Sequence, residues 1–287
     1  MFEITKQHDF LVGIDSDGCA FDTMEVKHKE CFIPNIVDHY NLAGVSKYAR
    51  EAAEFVNLYS KSRGINRFPA LIEALELVRE RAEVKARGLA IEIPKSLVDW
   101  IRRETKLANP ALEAEAKSSG DPHLKQALAW SKAVNASIEK VVRAVPPFPH
   151  VRECLEKLVP VADLFVVSAT PNEALKREWE EHDLARYVCA ICGQEEGTKK
   201  ESLGNAKKYA PNHTLMIGDA PGDQQAANAN AALFFPINPG HEDASWKQLY
   251  DEGIDRFLSG AFAGEYQEKL IAKFDTYLPE TPPWKKL

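Results

Sequence analysis

Asp15-Ser16-Asp17-Gly18 follows directly on the apolar run Phe10-Leu11-Val12-Gly13-Ile14. Side chains alternate along an extended chain, so two carboxylates two residues apart can face the same way. In an open α/β sheet, ligands bind in the crevice beyond the carboxyl ends of the strands. Like charges sharing such a crevice repel, which raises one pKa and leaves the other group ionised. That division suits a nucleophile beside an acid/base. The same residues also suit a plain turn, so the remaining motifs decide between the two.

A second acidic pair lies in Gly218-Asp219-Ala220-Pro221-Gly222-Asp223, behind the apolar Leu215-Met216-Ile217. Gly and Pro there favour a tight loop. Asp15, Asp17 and Asp219 together would make a strongly negative, oxygen-rich crevice, the donor chemistry that Mg²⁺ requires. Between the two acidic pairs, Leu164-Phe165-Val166-Val167 runs into Ser168-Ala169-Thr170-Pro171. A hydroxyl at a strand end just before a helix N-terminus is a phosphate-binding arrangement. It is equally a helix N-cap followed by Pro in the first turn. Lys199 would neutralise charge near the site, with Lys200 beside it as the alternative.

The elements that position these residues fall into two textures. From about Glu25 to Val145 the pattern is helical, with apolar residues three and four apart over Tyr48–Tyr59, Pro69–Gly88, Lys95–Glu104 and His123–Val145. Pro146-Pro147-Phe148-Pro149 closes this block. Beyond it, short apolar runs at Asp163–Val167, Tyr187–Ile191, Thr214–Ile217 and Ala232–Ile237 alternate with helical stretches over Val151–Leu158, Pro171–His182, Lys200–Tyr209 and Gln224–Ala232. Such alternation predicts βαβ units and a mainly parallel sheet. The expected organisation is an α/β domain from residues 1–24 and 146–240, interrupted by a helical domain at 25–145. Residues 241–287 are expected as a helical extension packed on the core.

With its motifs in this order, the chain resembles the haloacid dehalogenase superfamily of phosphotransferases. The resemblance rests on Ile14-Asp15-Ser16-Asp17-Gly18, Val167-Ser168, Lys199 and Gly218-Asp219 with Asp223, over residues 10–24 and roughly 146–240. It implies a doubly wound, Rossmann-like sheet with residues 25–145 as a C1-type helical cap. It also implies Mg²⁺-dependent phosphoryl transfer through an aspartyl-phosphate. Asp15 would attack phosphorus. Asp17 would protonate the leaving oxygen and then activate water. Ser168 and Lys199 would hold the phosphoryl oxygens. Asp15, the Asp17 carbonyl and Asp219 would bind the metal, with Asp223 as a direct or water-mediated ligand. Members that cleave carbon–halogen bonds lack the second Asp, so Asp17 argues for phosphate. The expected reaction is hydrolysis of a small phosphorylated metabolite. A phosphomutase and a non-catalytic phospho-accepting protein are the alternatives.

Composition narrows the partners. The 287 residues carry a net charge of −7, against general nucleic-acid binding. Residues 25–145 hold 20 Lys/Arg against 16 Asp/Glu, so the excess negative charge lies in the flanking parts. A basic segment over an acidic site suits an anionic substrate. Between two predicted helices, Tyr59-Ser60-Lys61-Ser62-Arg63-Gly64-Ile65-Asn66-Arg67-Phe68 gathers cationic groups, and Arg63 and Arg67 are the expected contacts to that substrate. An ordinary exposed connection reads equally well there. No apolar run approaches a membrane span, and the first residues lack the features of a secretory signal. Five cysteines without framework spacing fit free thiols in a reducing compartment, and Cys189-Ala190-Ile191-Cys192 reads as structural. The expectation is a cytoplasmic monomer or homodimer.

Overall fold

The computed structural model describes residues 3–285. Five strands form one all-parallel sheet: β1 (Phe10–Ile14), β2 (Ala162–Val167), β3 (Ala190–Cys192), β4 (Thr214–Gly218) and β5 (Leu233–Pro236), in the order β3-β2-β1-β4-β5. The reversal of direction about β1 is the switch point at which an open α/β sheet forms its ligand crevice.

Alternation along the strands explains why both faces are covered. Val12, Ile14, Leu164, Val166, Leu215, Ile217, Leu233 and Phe235 enter one core, with Leu155, Trp179, Trp246 and Phe257 from the helices on that side. Their neighbours Leu11, Phe165, Val167, Met216 and Phe234 enter another core with Leu203, Ala227 and Phe274. A strand buried on both faces is apolar throughout, as these runs are. Gly13 sits where a Cβ would come within 3.2–3.3 Å of Leu203, Phe165 and Met216, so glycine lets β1 lie tightly between its neighbours.

The chain divides into two compact units, residues 1–24 with 144–279 and residues 25–143 with 280–287. The second is built from helices, the longer being Ser46–Leu58, Arg67–Glu80, Asn109–Ser119 and Pro122–Val141. Its core centres on Phe68, whose ring meets Trp100 edge-on at 5.2 Å and Trp130 at 6.2 Å. No described helix is long and apolar enough to cross a membrane.

Three details depart from the sequence-based expectation. The stretch expected as one helix over Pro69–Gly88 breaks at Arg81, which is extended (ψ 126°) between Arg67–Glu80 and Ala82–Ala86. Its buried guanidinium pairs with Glu51 and lies 4.8 Å from the Tyr48 ring and 4.4 Å from the Trp284 ring. Strand β3 begins three residues later than expected, after the turn Ala185–Tyr187. The extension 241–287, expected packed on the core, divides: its described residues from 280 onward group with the helical unit, where Trp284 packs edge-on to Phe55 at 5.7 Å.

Candidate active site

The ladder of β1 runs one residue past its end, because the Asp15 amide donates to the Ile217 carbonyl at 2.9 Å. Asp15 is therefore aimed by the sheet, although its side chain belongs to the crevice. Ile14 is paired with Val166 on one side and Ile217 on the other. Ser168 and Asp219 thus leave the sheet at the same end as Asp15. After Asp15 the chain turns sharply: the Ser16 carbonyl accepts from the amides of Cys19, Ala20 and Phe21, and Gly18 takes a positive φ of 76°. That conformation favours glycine.

The carboxylates of Asp15, Asp219 and Asp223 are all buried, with one oxygen of each lying within 4.8 Å of the others. Lys199 Nζ donates to Asp15 Oδ2 at 2.5 Å and to Asp223 Oδ1 at 2.6 Å. Thr198 caps the short helix that carries the lysine, and Glu201 completes a capping box. Lys200, the alternative, is exposed. The other oxygen of Asp223 accepts from the amides of Asp219 and Ala220, at 3.2 and 3.0 Å. That carboxylate folds back so closely that a Cβ on Gly218 would come within 2.4 Å of it.

Burial pushes the Asp15 carboxyl well above the usual range. Asp223 and Asp219 add to the rise, while Lys199 opposes it. Burial alone would lower the Lys199 ammonium, but Asp15, Asp223 and Asp219 outweigh it and hold the group charged. Cys19 is buried in this field. Desolvation first, then Asp219 and Asp15, push its thiol well up, so it stays protonated and inert. Cys189 and Cys192 are likewise free thiols raised mainly by burial.

Asp17 is held by two hydroxyls. Thr23 Oγ1 donates to Oδ1, and Thr170 Oγ1 donates to Oδ2 at 2.5 Å. Ser168, buried at the end of β2, accepts from the Thr170 amide at 3.2 Å and donates its own amide to Cys192. Sequence reasoning missed Thr23 and had no role for Thr170, although it lies in the quoted Ser-Ala-Thr-Pro stretch. An isolated threonine has no spacing that marks it as a partner of a distant aspartate.

Arg63 and Arg67 belong to the helical unit. Arg63 is buried, and its Nη1 donates to the Leu58 carbonyl at 2.8 Å. Arg67 Nη1 donates to Ser131 O, Ser131 Oγ and Asn135 Oδ1 at 3.2, 3.0 and 2.7 Å, and the guanidinium lies 5.0 Å from the Phe32 ring. All its protein partners are neutral, and burial lowers its pKa to about 10.

No curated protein matches the sequence. Among solved structures, the chain is similar to a proposed phosphoglycolate phosphatase from Lactobacillus delbrueckii subsp. bulgaricus, at 16% identity over 85% of this chain and 92% of that one, TM-score 0.47. It is also similar to a haloacid dehalogenase-like family hydrolase from Streptococcus pneumoniae, at 12% identity over 84% and 90%, TM-score 0.49. Residues 102–235 match the haloacid dehalogenase-like hydrolase family. The matched segment holds Ser168, Lys199, Asp219 and Asp223, while Asp15 and Asp17 precede the helical unit and lie outside it. These four residues sit where the sheet gathers them around Asp15, and the stretch 102–235 that carries them, just under half of the chain, is what is similar to the haloacid dehalogenase-like hydrolases.

Proposed function

We propose that this protein is a Mg²⁺-dependent phosphatase of a small phosphorylated metabolite, with Asp15 as nucleophile and Asp17 as acid/base. One observation carries the reading: Asp15 lies buried at a strand end, gripped by Lys199, in a cluster with two further carboxylates. A nucleophile that must meet a phosphoryl group needs its own charge balanced, and an ammonium fixed against it does so.

The donor set is oxygen alone, which suits Mg²⁺ better than a softer metal. Asp15, Asp219 and the Asp17 carbonyl would hold the ion, with Asp223 direct or through water. Bound there, the cation would offset the carboxylate charge and that of the phosphoryl oxygens. The rest falls to the chain. An Asp15 oxygen bonds to phosphorus as the bond to the leaving oxygen breaks, and Asp17 delivers its proton to that oxygen. Asp17 then takes a proton from water, whose oxygen bonds to phosphorus as the bond to Asp15 breaks. Phosphate leaves and Asp15 is restored. Ser168 and Lys199 steady the phosphoryl oxygens during both transfers, and Arg63 and Arg67 receive the anionic part of the substrate.

The test is release of phosphate from p-nitrophenyl phosphate and a panel of phosphorylated sugars, nucleotides and short acids. Turnover should require Mg²⁺, stop with EDTA, and fall by at least about 1,000-fold in Asp15→Asn, as expected when a covalent nucleophile is removed. Activity that survives Asp15→Asn sinks the assignment.

A further inference from the structure

The residue between the two aspartates is a buried polar one, and every polar atom it has is engaged. The Ser16 amide donates to Asp15 Oδ1 at 2.8 Å, and its carbonyl accepts the three amides of the turn. Its hydroxyl accepts from the Trp179 indole N–H at 3.0 Å and donates to Glu178 Oε2 at 3.0 Å. Glu178 and Trp179 lie side by side on the helix Asn172–Glu181. That helix starts just after Thr170, whose hydroxyl holds Asp17. A buried hydroxyl must be satisfied, and an indole N–H offers one fixed direction. Trp179 is itself fully buried and edge-on to Phe21 at 5.8 Å.

We infer that Trp179 is a positioning residue: through Ser16 it fixes the turn that sets Asp15 and Asp17 relative to each other. The inference rests on the phosphatase reading of Asp15 and Asp17 and adds to it a part that touches neither substrate nor metal. One segment, residues 168–181, thereby grips both halves of the acidic pair, Asp17 through Thr170 and Asp15 by way of Ser16. Misplacement of reacting groups affects the transition state more than ground-state binding. Loss of the anchor should therefore lower kcat and spare KM.

A double-mutant cycle tests it. Trp179→Phe keeps the ring and removes the N–H; Ser16→Ala removes the hydroxyl. Each should lower kcat about tenfold with KM within about twofold, and the double variant should be no slower than the slower single one, as expected of residues acting as a unit. Ser16→Cys, a weaker donor and acceptor of similar size, should fall between Ser16→Ala and wild type. Additive losses, an unchanged kcat, or a change confined to KM overturns the inference, and melting temperatures on each variant separate it from loss of fold. If wild type hydrolyses no phosphate ester, the phosphatase reading fails, and the anchor is read by NMR without ligand. The Trp179 indole N–H resonance should then lie at a different shift in Ser16→Ala than in wild type, and the backbone amide resonances of Asp15 and Asp17 should move in Trp179→Phe. Resonances unmoved between wild type and the variants overturn the anchor.

Discussion

The two units of this protein gather charge of opposite sign. In the α/β unit three buried carboxylates, Asp15, Asp219 and Asp223, surround the single ammonium of Lys199. In the helical unit Arg67 is pinned by a carbonyl, a hydroxyl and an amide, with no carboxylate partner among the described residues. Folding alone would not favour either arrangement, because a buried charge without its opposite costs stability. The same helical unit gives a different arginine, Arg81, a carboxylate partner in Glu51. On the function proposed above, the counter-charges would arrive with the ligands: a cation for the aspartates, an anion for the arginine.

Removing Lys199 tests the negative side hardest. Lys199→Met leaves three buried carboxylates facing one another, and kcat should drop by at least about 100-fold, the scale of a lost charge-stabilising donor. Phosphate release at saturating substrate measures it, and near-wild-type turnover would show that the ammonium does not serve the reaction. Arg67→Met probes the positive side with a smaller effect. KM for a phosphate ester bearing a second acidic group should rise about tenfold, the loss of one charge-assisted contact. KM for p-nitrophenyl phosphate should not change. Equal kinetics on both substrates would make Arg67 a structural cation.

Asp163 supplies the control, a buried carboxylate at the opposite end of the strands whose needs the fold meets itself. It accepts from the amides of Gln7 and His8, the His8 ring and the Tyr209 hydroxyl. Burial alone would raise its carboxyl, but these donors prevail and hold it below the ordinary value of 3.8. A group with a depressed folded pKa stabilises fully above its unfolded pKa, and that contribution is lost as pH falls through the folded one. Asp163→Asn should therefore cost about 1–3 kcal/mol near pH 7, the range for hydrogen bonds to a charged group. The gap to wild type should close below about pH 4. Urea unfolding at the two pH values measures it. A gap independent of pH would mean that the charge contributes nothing.

Much of this was legible in the sequence because it is written in strand ends. Asp15, Ser168 and Asp219 each follow an apolar run, and a run buried on both faces announces itself without any partner being known. Lys199 follows no strand, yet a cation was demanded by the acidic pairs. What stayed hidden depends on pairing between distant positions. Thr23, Thr170 and Trp179 carry no spacing signature, and their importance comes only from the atoms they meet. Asp163 was absorbed into an expected strand as though it were apolar, because the donors that admit it come from the N-terminal segment and Tyr209. The break at Arg81 was masked by good helical periodicity on both sides. There, pairing with Glu51 and stacking on two aromatic rings overrode local propensity.

Trp284 bears on the order in which the helical unit can be completed. Phe55 and Arg81 precede strands β2 to β5 in the sequence, and the ring that packs against both, Trp284, follows them. The core of the helical unit therefore receives that ring only after the sheet's remaining strands have been made. Strand β1 waits in a similar way for β2 and β4, its partners on either side. Contacts between such distant positions form late, since the loop they close must be ordered before they repay it. A nascent chain that has not reached Trp284 therefore carries a Phe55 ring without its edge-on partner and an Arg81 guanidinium lacking one of its stacking rings.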